Sequence, residues 1–214
     1  MTRRTTDWTD RPAWRSLRVG QSRGTMTKDA RLDDADLMAG FAAGDQAAAR
    51  ELVARHLPRA LSVASRMLGD GAEAQDVAQE AMVRLFRIAT EWQPDRARVG
   101  TWLYRVVSNL AIDRLRSRRT EPLDAADEPS DDGPAPVDGL MARDRAAALH
   151  RGLSRLPERQ RLAVTLRHIE ELPTPEIAAI MDLSVEAVES LLARGRRALT
   201  RELAPHRDAI GFEG

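Results

Sequence analysis

The chain contains no cysteine. Disulfides, thiolate metal sites and cysteine nucleophiles are therefore excluded. Aromatic residues make up 4% of its 214 residues, and alternating runs of β-branched and aromatic residues are almost absent, so strands have little to form from. No apolar run approaches the roughly 20 residues that span a bilayer, and no signal-peptide core appears near the start. Lysine is nearly missing too: Lys28 stands alone among 33 basic residues. The histidines, His56, His150, His168 and His206, are scattered, and none pairs with a second ligand at metal spacing. Neither a phosphate loop nor a nucleophile motif occurs. The paired acids Glu170-Glu171 and Asp131-Asp132 fall at a helix end and in a polar stretch, where solvation explains them. The expectation is a soluble, cytoplasmic, all-α protein that is not an enzyme and needs no cofactor or metal.

What is present is leucine, alanine and segregated charge. The formal net charge is zero, but the sum hides its distribution. Residues 1–31 carry eight basic and three acidic groups, and residues 32–120 carry thirteen and twelve. The stretch 121–139 has seven acids, no base and four prolines, while residues 140–205 hold eleven bases against nine acids. An acidic, proline-rich stretch cannot bury a core. It reads as a connector, over 120–139, between helical blocks at 32–119 and 140–205. Residues 1–31, without sustained periodicity, read as a disordered extension, and 206–214 as a tail. Met26, just before the first patterned segment, offers an alternative start to Met1.

Periodicity within the first block predicts helices over Asp33–Leu57, from Pro58 (placed at a first turn) to about Met67, and over about Ala72–Trp92. The last has Val77, Ala81, Leu85 and Ile88 as its inner stripe and Asp76, Gln79, Glu80 and Arg84 on its other face. A polar loop containing Arg96 and Arg98 leads to Gly100. Thr101 then reads as the N-cap of a helix reaching Arg119, with Leu103, Val106, Val107, Leu110 and Ala111 as an apolar face. Trp102 and Tyr104 sit at its start, and Arg105, Arg114, Arg116, Arg118 and Arg119 load it with positive charge. Rings that stack on exposed bases, beside guanidinium groups that hold phosphates, suit single-stranded or melting nucleic acid. A core helix with a solvated basic end, favoured by the helix dipole, is the competing reading.

The second block predicts a helix over Leu140–Leu153 and another opened by Pro157. Thr174 would cap a short helix with Pro175 at its first position. Asp182-Leu183 would form a turn, and Ser184 would cap a longer helix burying Val185, Val188, Leu191, Leu192 and Leu199. Two capped helices around a short turn, the second ending in Arg194, Arg196, Arg197 and Arg201, form a helix-turn-helix pattern whose basic end could rest on phosphates. A plain helical hairpin is the alternative.

In combination these segments resemble the extracytoplasmic-function (group 4) sigma factors of bacterial RNA polymerase, over roughly residues 33–118 and 140–204. Asp76-Val77-Ala78-Gln79-Glu80-Ala81 is similar to the family's core-binding signature. Thr101-Trp102-Leu103-Tyr104-Arg105, continued by Asn109-Leu110-Ala111-Ile112-Asp113-Arg114-Leu115-Arg116, is similar to its promoter-melting helix. Leu156-Pro157-Glu158-Arg159-Gln160-Arg161 and Glu176-Ile177-Ala178-Ala179-Ile180-Met181 resemble its C-terminal domain.

The resemblance implies two helical domains, like sigma regions 2 and 4, joined by the acidic linker. It implies that Asp76, Gln79, Glu80 and Arg84 grip a coiled coil at the clamp of the polymerase's largest subunit. Arg96, Arg98, Trp102, Tyr104, Arg105, Asn109, Arg114 and Arg116 would read and melt the −10 element, although Trp102 reads equally as a core anchor. Ser184, Glu186, Ala187, Glu189, Ser190, Arg194 and Arg197 would meet the −35 element. Glu189 and Leu191 depart from the basic residues common there; Glu189 could accept from a cytosine amino group, or face solvent or a neighbouring helix. Further implied partners are the flap region of the polymerase, promoter DNA and an anti-sigma factor, with no membrane insertion. The linker could imitate the charge of nascent RNA or act as a plain tether. A stand-alone helix-turn-helix regulator is the alternative function.

Overall fold

A computed structural model of the chain describes residues 32–120 and 137–204. The expected N-terminal extension, with the start at Met26, lies outside the described residues, as do most of the acidic linker and the tail. Four helix starts are set by the side chain just before them. Asp33 accepts from the Asp36 amide at 2.8 Å to begin α1 (Asp34–Ala42), and Asp45 from Ala47 at 2.7 Å to begin α2 (Gln46–Leu68). Asp70 accepts from Glu73 at 3.0 Å ahead of α3 (Gly71–Arg87). Each such cap contributes about 0.5–2 kcal/mol. Gly69 ends α2 in the left-handed region, at φ 77°, where glycine avoids a Cβ clash.

Pro58 does not open a new helix: it lies inside the continuous α2. The amide that proline lacks would have bonded to the carbonyl of Ala54, and both residues are exposed, so water can serve that carbonyl. Leu52, Ala60, Val63, Ala64 and Met67 are all buried along the same helix. Breaking it would sacrifice more apolar burial than the roughly 3 kcal/mol an interior proline costs.

After α3 comes one 3-10 turn, Ala89–Glu91, in place of a continuation to Trp92. Helix α4 (Val99–Thr120) begins two residues before Thr101, which is therefore not its cap. The Thr101 hydroxyl points to another part of the chain, as described below. Trp102 is buried and meets Trp92 edge-on, with centroids 6.3 Å apart. At the far end of α4, Arg118 pairs with Glu73 at 2.6 Å and donates to the Leu68 carbonyl at 3.1 Å.

The second block is α5 (Val137–Ser154), α6 (Glu158–His168), α7 (Thr174–Met181) and α8 (Val185–Leu203). Helix α5 starts at Val137, ahead of the expected Leu140. Thr174 is the first residue of α7 and makes no side-chain cap; Pro173 precedes the helix. Asp182 turns the chain at φ 53°, a left-handed conformation that aspartate tolerates better than most residues. Ser184 caps α8, accepting from the Ala187 amide at 3.2 Å.

The apolar core is continuous across both blocks. Leu52, Met67, Val77, Leu85, Leu103 and Val107 of α2–α4 belong to the same cluster as Leu162, Leu166, Ile177, Ile180 and Val188 of α6–α8. A smaller cluster of Leu153, Leu156 and Val164 seats α5 on α6 and α8. Buried Arg161 fastens the seam, donating to the Met67 carbonyl at 2.5 Å and to the Ser154 carbonyl.

Helices α6 and α8 approach closely at Gly195. A Cβ there would stand 2.7 Å from Val164 Cγ2 and 3.3 Å from the Gln160 carbonyl oxygen. Helix propensity alone favours alanine over glycine by about 1 kcal/mol, but overpacking costs about 1–3 kcal/mol. Gly195→Ala is accordingly expected to destabilise the chain, lowering the thermal midpoint followed by circular dichroism. A raised midpoint would contradict the α6–α8 spacing.

Candidate nucleic-acid interface

The residues singled out by sequence lie on three surfaces. The first is the outer face of α3. Ala74, Val77, Ala78, Ala81 and Leu85 are buried against α2 and α4, which leaves Asp76 and Gln79 exposed on the opposite side. Glu80 and Arg84, one turn apart, form an ion pair at 2.5 Å. Val83 is 46% exposed on this face. Sequence reasoning passed over it because an apolar residue beside an apolar stripe looks like core. An exposed valine among polar groups gives a docking partner something to desolvate.

The second surface is α4 and the loop before it. Arg96, Arg98, Asn109 and Arg116 are exposed, and Arg114 is partly so. The start of the helix differs: Thr101, Trp102 and Tyr104 are 1%, 4% and 5% exposed. The hydroxyl groups of Thr101 and Tyr104 are engaged by the second block. The Tyr104 hydroxyl donates to Glu170 Oε2 at 2.6 Å, and Ser62 of α2 donates to the other oxygen, Oε1, at 2.7 Å. The Thr101 hydroxyl donates to Glu176 Oε1 at 2.5 Å, and Arg105 lies 3.9 Å from the Asp182 carboxylate. Glu170 is thus no solvated helix-end acid. It is a buried-side bridge that the sequence pattern could not show, since its partners are 66 and 108 residues away.

The third surface is α8. Val188, Leu192 and Gly195 face inward, and Ser184, Glu186, Glu189, Ser190, Arg194 and Arg197 are exposed, with Ala187 at the margin. Arg194 Nη2 donates to Ser190 Oγ at 2.9 Å, which holds the guanidinium along the exposed face. Glu189 is exposed and does not pack on a neighbouring helix. The small side chains of Ala178 (buried) and Ala179 let α7 lie close to α8. The spacing is that of a helix-turn-helix, with α8 the helix free to enter a groove.

A helical module with a polar outer face and an arginine-lined helix, followed by a helix-turn-helix module, defines the architecture of a transcription initiation factor. Two family models match in that order: Sigma-70 region 2 over residues 52–121 and Sigma-70, region 4 over residues 146–199. The chain belongs to the sigma-70 family of RNA polymerase sigma factors, in its extracytoplasmic-function (ECF) branch. It is 32% identical over 171 residues to the ECF RNA polymerase sigma factor SigW of Bacillus subtilis, covering 75% of this chain and 91% of the relative. It is 34% identical over 173 residues to the ECF RNA polymerase sigma-E factor of Escherichia coli, covering 76% and 90%. Among solved structures, CnrH in complex with the cytosolic domain of CnrY matches with a TM-score of 0.61 and 31% identity, over 80% of this chain and 97% of that one. The sigma factor RpoE in complex with the anti-sigma factor NepR, from Bartonella quintana, shares the fold at a TM-score of 0.56, over 72% of this chain and 96% of that one, with 17% identity. Sigma factors are initiation factors rather than enzymes. No helix among the described residues is long and apolar enough to cross a membrane.

The contact at Tyr104 is open to direct measurement, since this is the chain's one tyrosine. Burial, and then the hydrogen bond to Glu170, push its ionisation well above the ordinary value of 10.0. A value raised on folding means that the contribution to stability is complete below the ordinary value and is lost as pH rises beyond it. Ultraviolet titration of the intact chain is expected to show phenolate only well above the ordinary range. In Glu170→Ala the midpoint should move back towards it. Ordinary ionisation of Tyr104 in the unaltered, folded chain would contradict the contact.

Proposed function

We propose that the chain acts in the cytoplasm by seating on core RNA polymerase through the outer face of α3, melting the −10 element with α4 and reading the −35 element with α8. The observation that carries this reading is the pairing of the two sigma-70 segments with two exposed faces of matching chemistry. Asp76 and Gln79 supply an acceptor and an amide to the clamp coiled coil of the largest subunit, with Glu80 and Arg84 beside them and Val83 as an apolar anchor. On α4 and its loop, Arg96, Arg98, Arg105, Arg114 and Arg116 hold phosphates and Asn109 offers base-edge hydrogen bonds. Trp102 serves as the buried anchor of this helix, and Tyr104 supplies a ring for stacking once it is uncovered. Stacking contributes about 1–3 kcal/mol per base, comparable to the few kcal/mol that unstacking one requires, so a short contact can hold a bubble open without fuel.

On α8 the exposed Ser184, Glu186, Glu189, Ser190, Arg194 and Arg197 meet the groove and its phosphates, with Ala187 near the bases. The flap region of the polymerase has an apolar cavity of about 450 Å³ available between α5, α6 and α8, lined by Leu149, Leu153, Val164, Ile169, Leu199 and Leu203. An anti-sigma factor is the expected antagonist, in keeping with the complex of RpoE and NepR. The acidic linker serves as the strap between the modules.

Run-off transcription with core polymerase and a promoter library tests the whole reading. Start-site selection is expected; its absence with a folded chain would refute the assignment, and a footprint without polymerase would favour a stand-alone regulator. Asp76→Ala and Gln79→Ala should each weaken association with core polymerase while leaving the circular dichroism unchanged; unaltered affinity in both would remove α3 from the interface. Arg194→Ala should cost about 1–3 kcal/mol and relax preference at one base position if the guanidinium reads a base edge. A uniform loss across promoters would make it a phosphate contact instead.

A further inference from the structure

The cavity between α5, α6 and α8 lies where α8 stops. Leu199 and Leu203 from the last turns of that helix line it, and so does Ala204, the residue directly after them. Its other apolar walls are only in part covered: Leu153 and Val164 are buried, whereas Leu149, Ile169 and Leu199 are half-buried. A concavity of about 450 Å³ with such walls leaves apolar surface in water, and covering it is favourable.

The chain continues from this rim as Pro205-His206-Arg207-Asp208-Ala209-Ile210-Gly211-Phe212-Glu213-Gly214. Proline lacks the amide that a further helical turn would use. Ile210 and Phe212 are the large apolar residues of an otherwise small or polar segment. The chain has three phenylalanines, and the other two, Phe41 and Phe86, pack on each other with centroids 4.5 Å apart. Ile210 is six positions past Ala204, a reach of up to about 20 Å at 3.3–3.6 Å per residue. Leu199 is five positions back along the helix, about 7.5 Å at 1.5 Å each, so the tail spans the cavity with length to spare. Charge agrees as well. Arg196 and His168 line the opening, and burial, then the charges of Arg196 and Arg167, hold the ionisation of His168 down. In the tail, Asp208 and Glu213 stand on either side of the apolar pair.

We propose that segment 205–214 folds back over the end of α8 and lays Ile210 and Phe212 in this cavity, with Asp208 and Glu213 beside Arg196 and Arg167. The tail then competes, within the chain, for the contact with the polymerase flap, and this competition rests on the assignment of the cavity to the flap made above. A tether this short gives the tail an effective concentration of about millimolar, so modest apolar contacts hold it. A flap brought near once α3 has seated on the polymerase displaces it, which makes the second contact depend on the first.

The absence of cysteine allows a single reporter. In a Gly214→Cys chain the thiol carries a benzophenone maleimide, and illumination joins it to whatever lies beside it. Cross-links within one chain are expected on the cavity walls, at Leu149 to Leu153 of α5 and at Leu199 to Leu203 of α8. Adding Ile210→Asp and Phe212→Asp keeps the label but removes the apolar pair, and these cross-links should fall to background. The same two substitutions without the label should tighten binding to core polymerase by roughly three- to tenfold, the gain when only a third to a tenth of the unaltered chain has the cavity open. Circular dichroism of each chain checks that the fold is kept. Cross-links that persist in the aspartate variant, map elsewhere or join two copies would overturn the proposal, as would unchanged polymerase affinity. If neither chain binds core polymerase, the sigma-factor reading fails and the competition with it; the cross-link map, made without polymerase, still decides where the tail lies.

Discussion

Helix α4 is packed on both sides, and the rest of the arrangement follows from that constraint. It lies against α2 and α3 within its own module and against α7 of the next. Leu103, Val107 and Ala111 are fully or almost fully buried, and each large side chain so buried is worth about 1.5–3 kcal/mol. Packing of that kind brings polar atoms into the interface with it. A buried hydroxyl without a partner costs about 1–3 kcal/mol, so Tyr104 and Thr101 need acceptors when α7 closes over them. Glu170 and Glu176 supply these, and Ser62 takes the second oxygen of Glu170. The apolar contact sets where the modules meet, and the hydrogen bonds set the register.

The helix-turn-helix answers a different demand. Its second helix must be rigid on one side and available on the other. Val188 and Leu192 fill the inner side, and at Gly195 the backbone of α8 comes so close to α6 that no side chain fits. The outer side keeps only polar groups and arginines. On that outer side Arg194 Nη2 donates to Ser190 Oγ at 2.9 Å, one turn back along the helix.

Much of this was legible beforehand because it is local. The cap at Ser184, the buried stripe of α3 and the exposed face carrying Asp76 and Gln79 all follow from spacings of two to four residues. The departures came where local rules met tertiary packing. Pro58 read as a helix start, yet packing on both sides of it kept α2 whole. Thr101 read as a cap, but α4 begins earlier and its hydroxyl serves Glu176. Glu170 read as a solvated acid, and it is the bridge between modules.

The sequence by itself determined the helical class, the order of the helices, the cap at Ser184 and the membership in the sigma-70 family. These depend on periodicity and on short motifs, both carried by neighbouring residues. Only the tertiary structure decided which face of α4 is covered and by what. Ser62, Thr101 and Tyr104 meet their acceptors across 108, 75 and 66 residues, and no sequence period spans such distances. A carboxylate's role there depends on what packing brings beside it, and packing is a property of the folded chain as a whole.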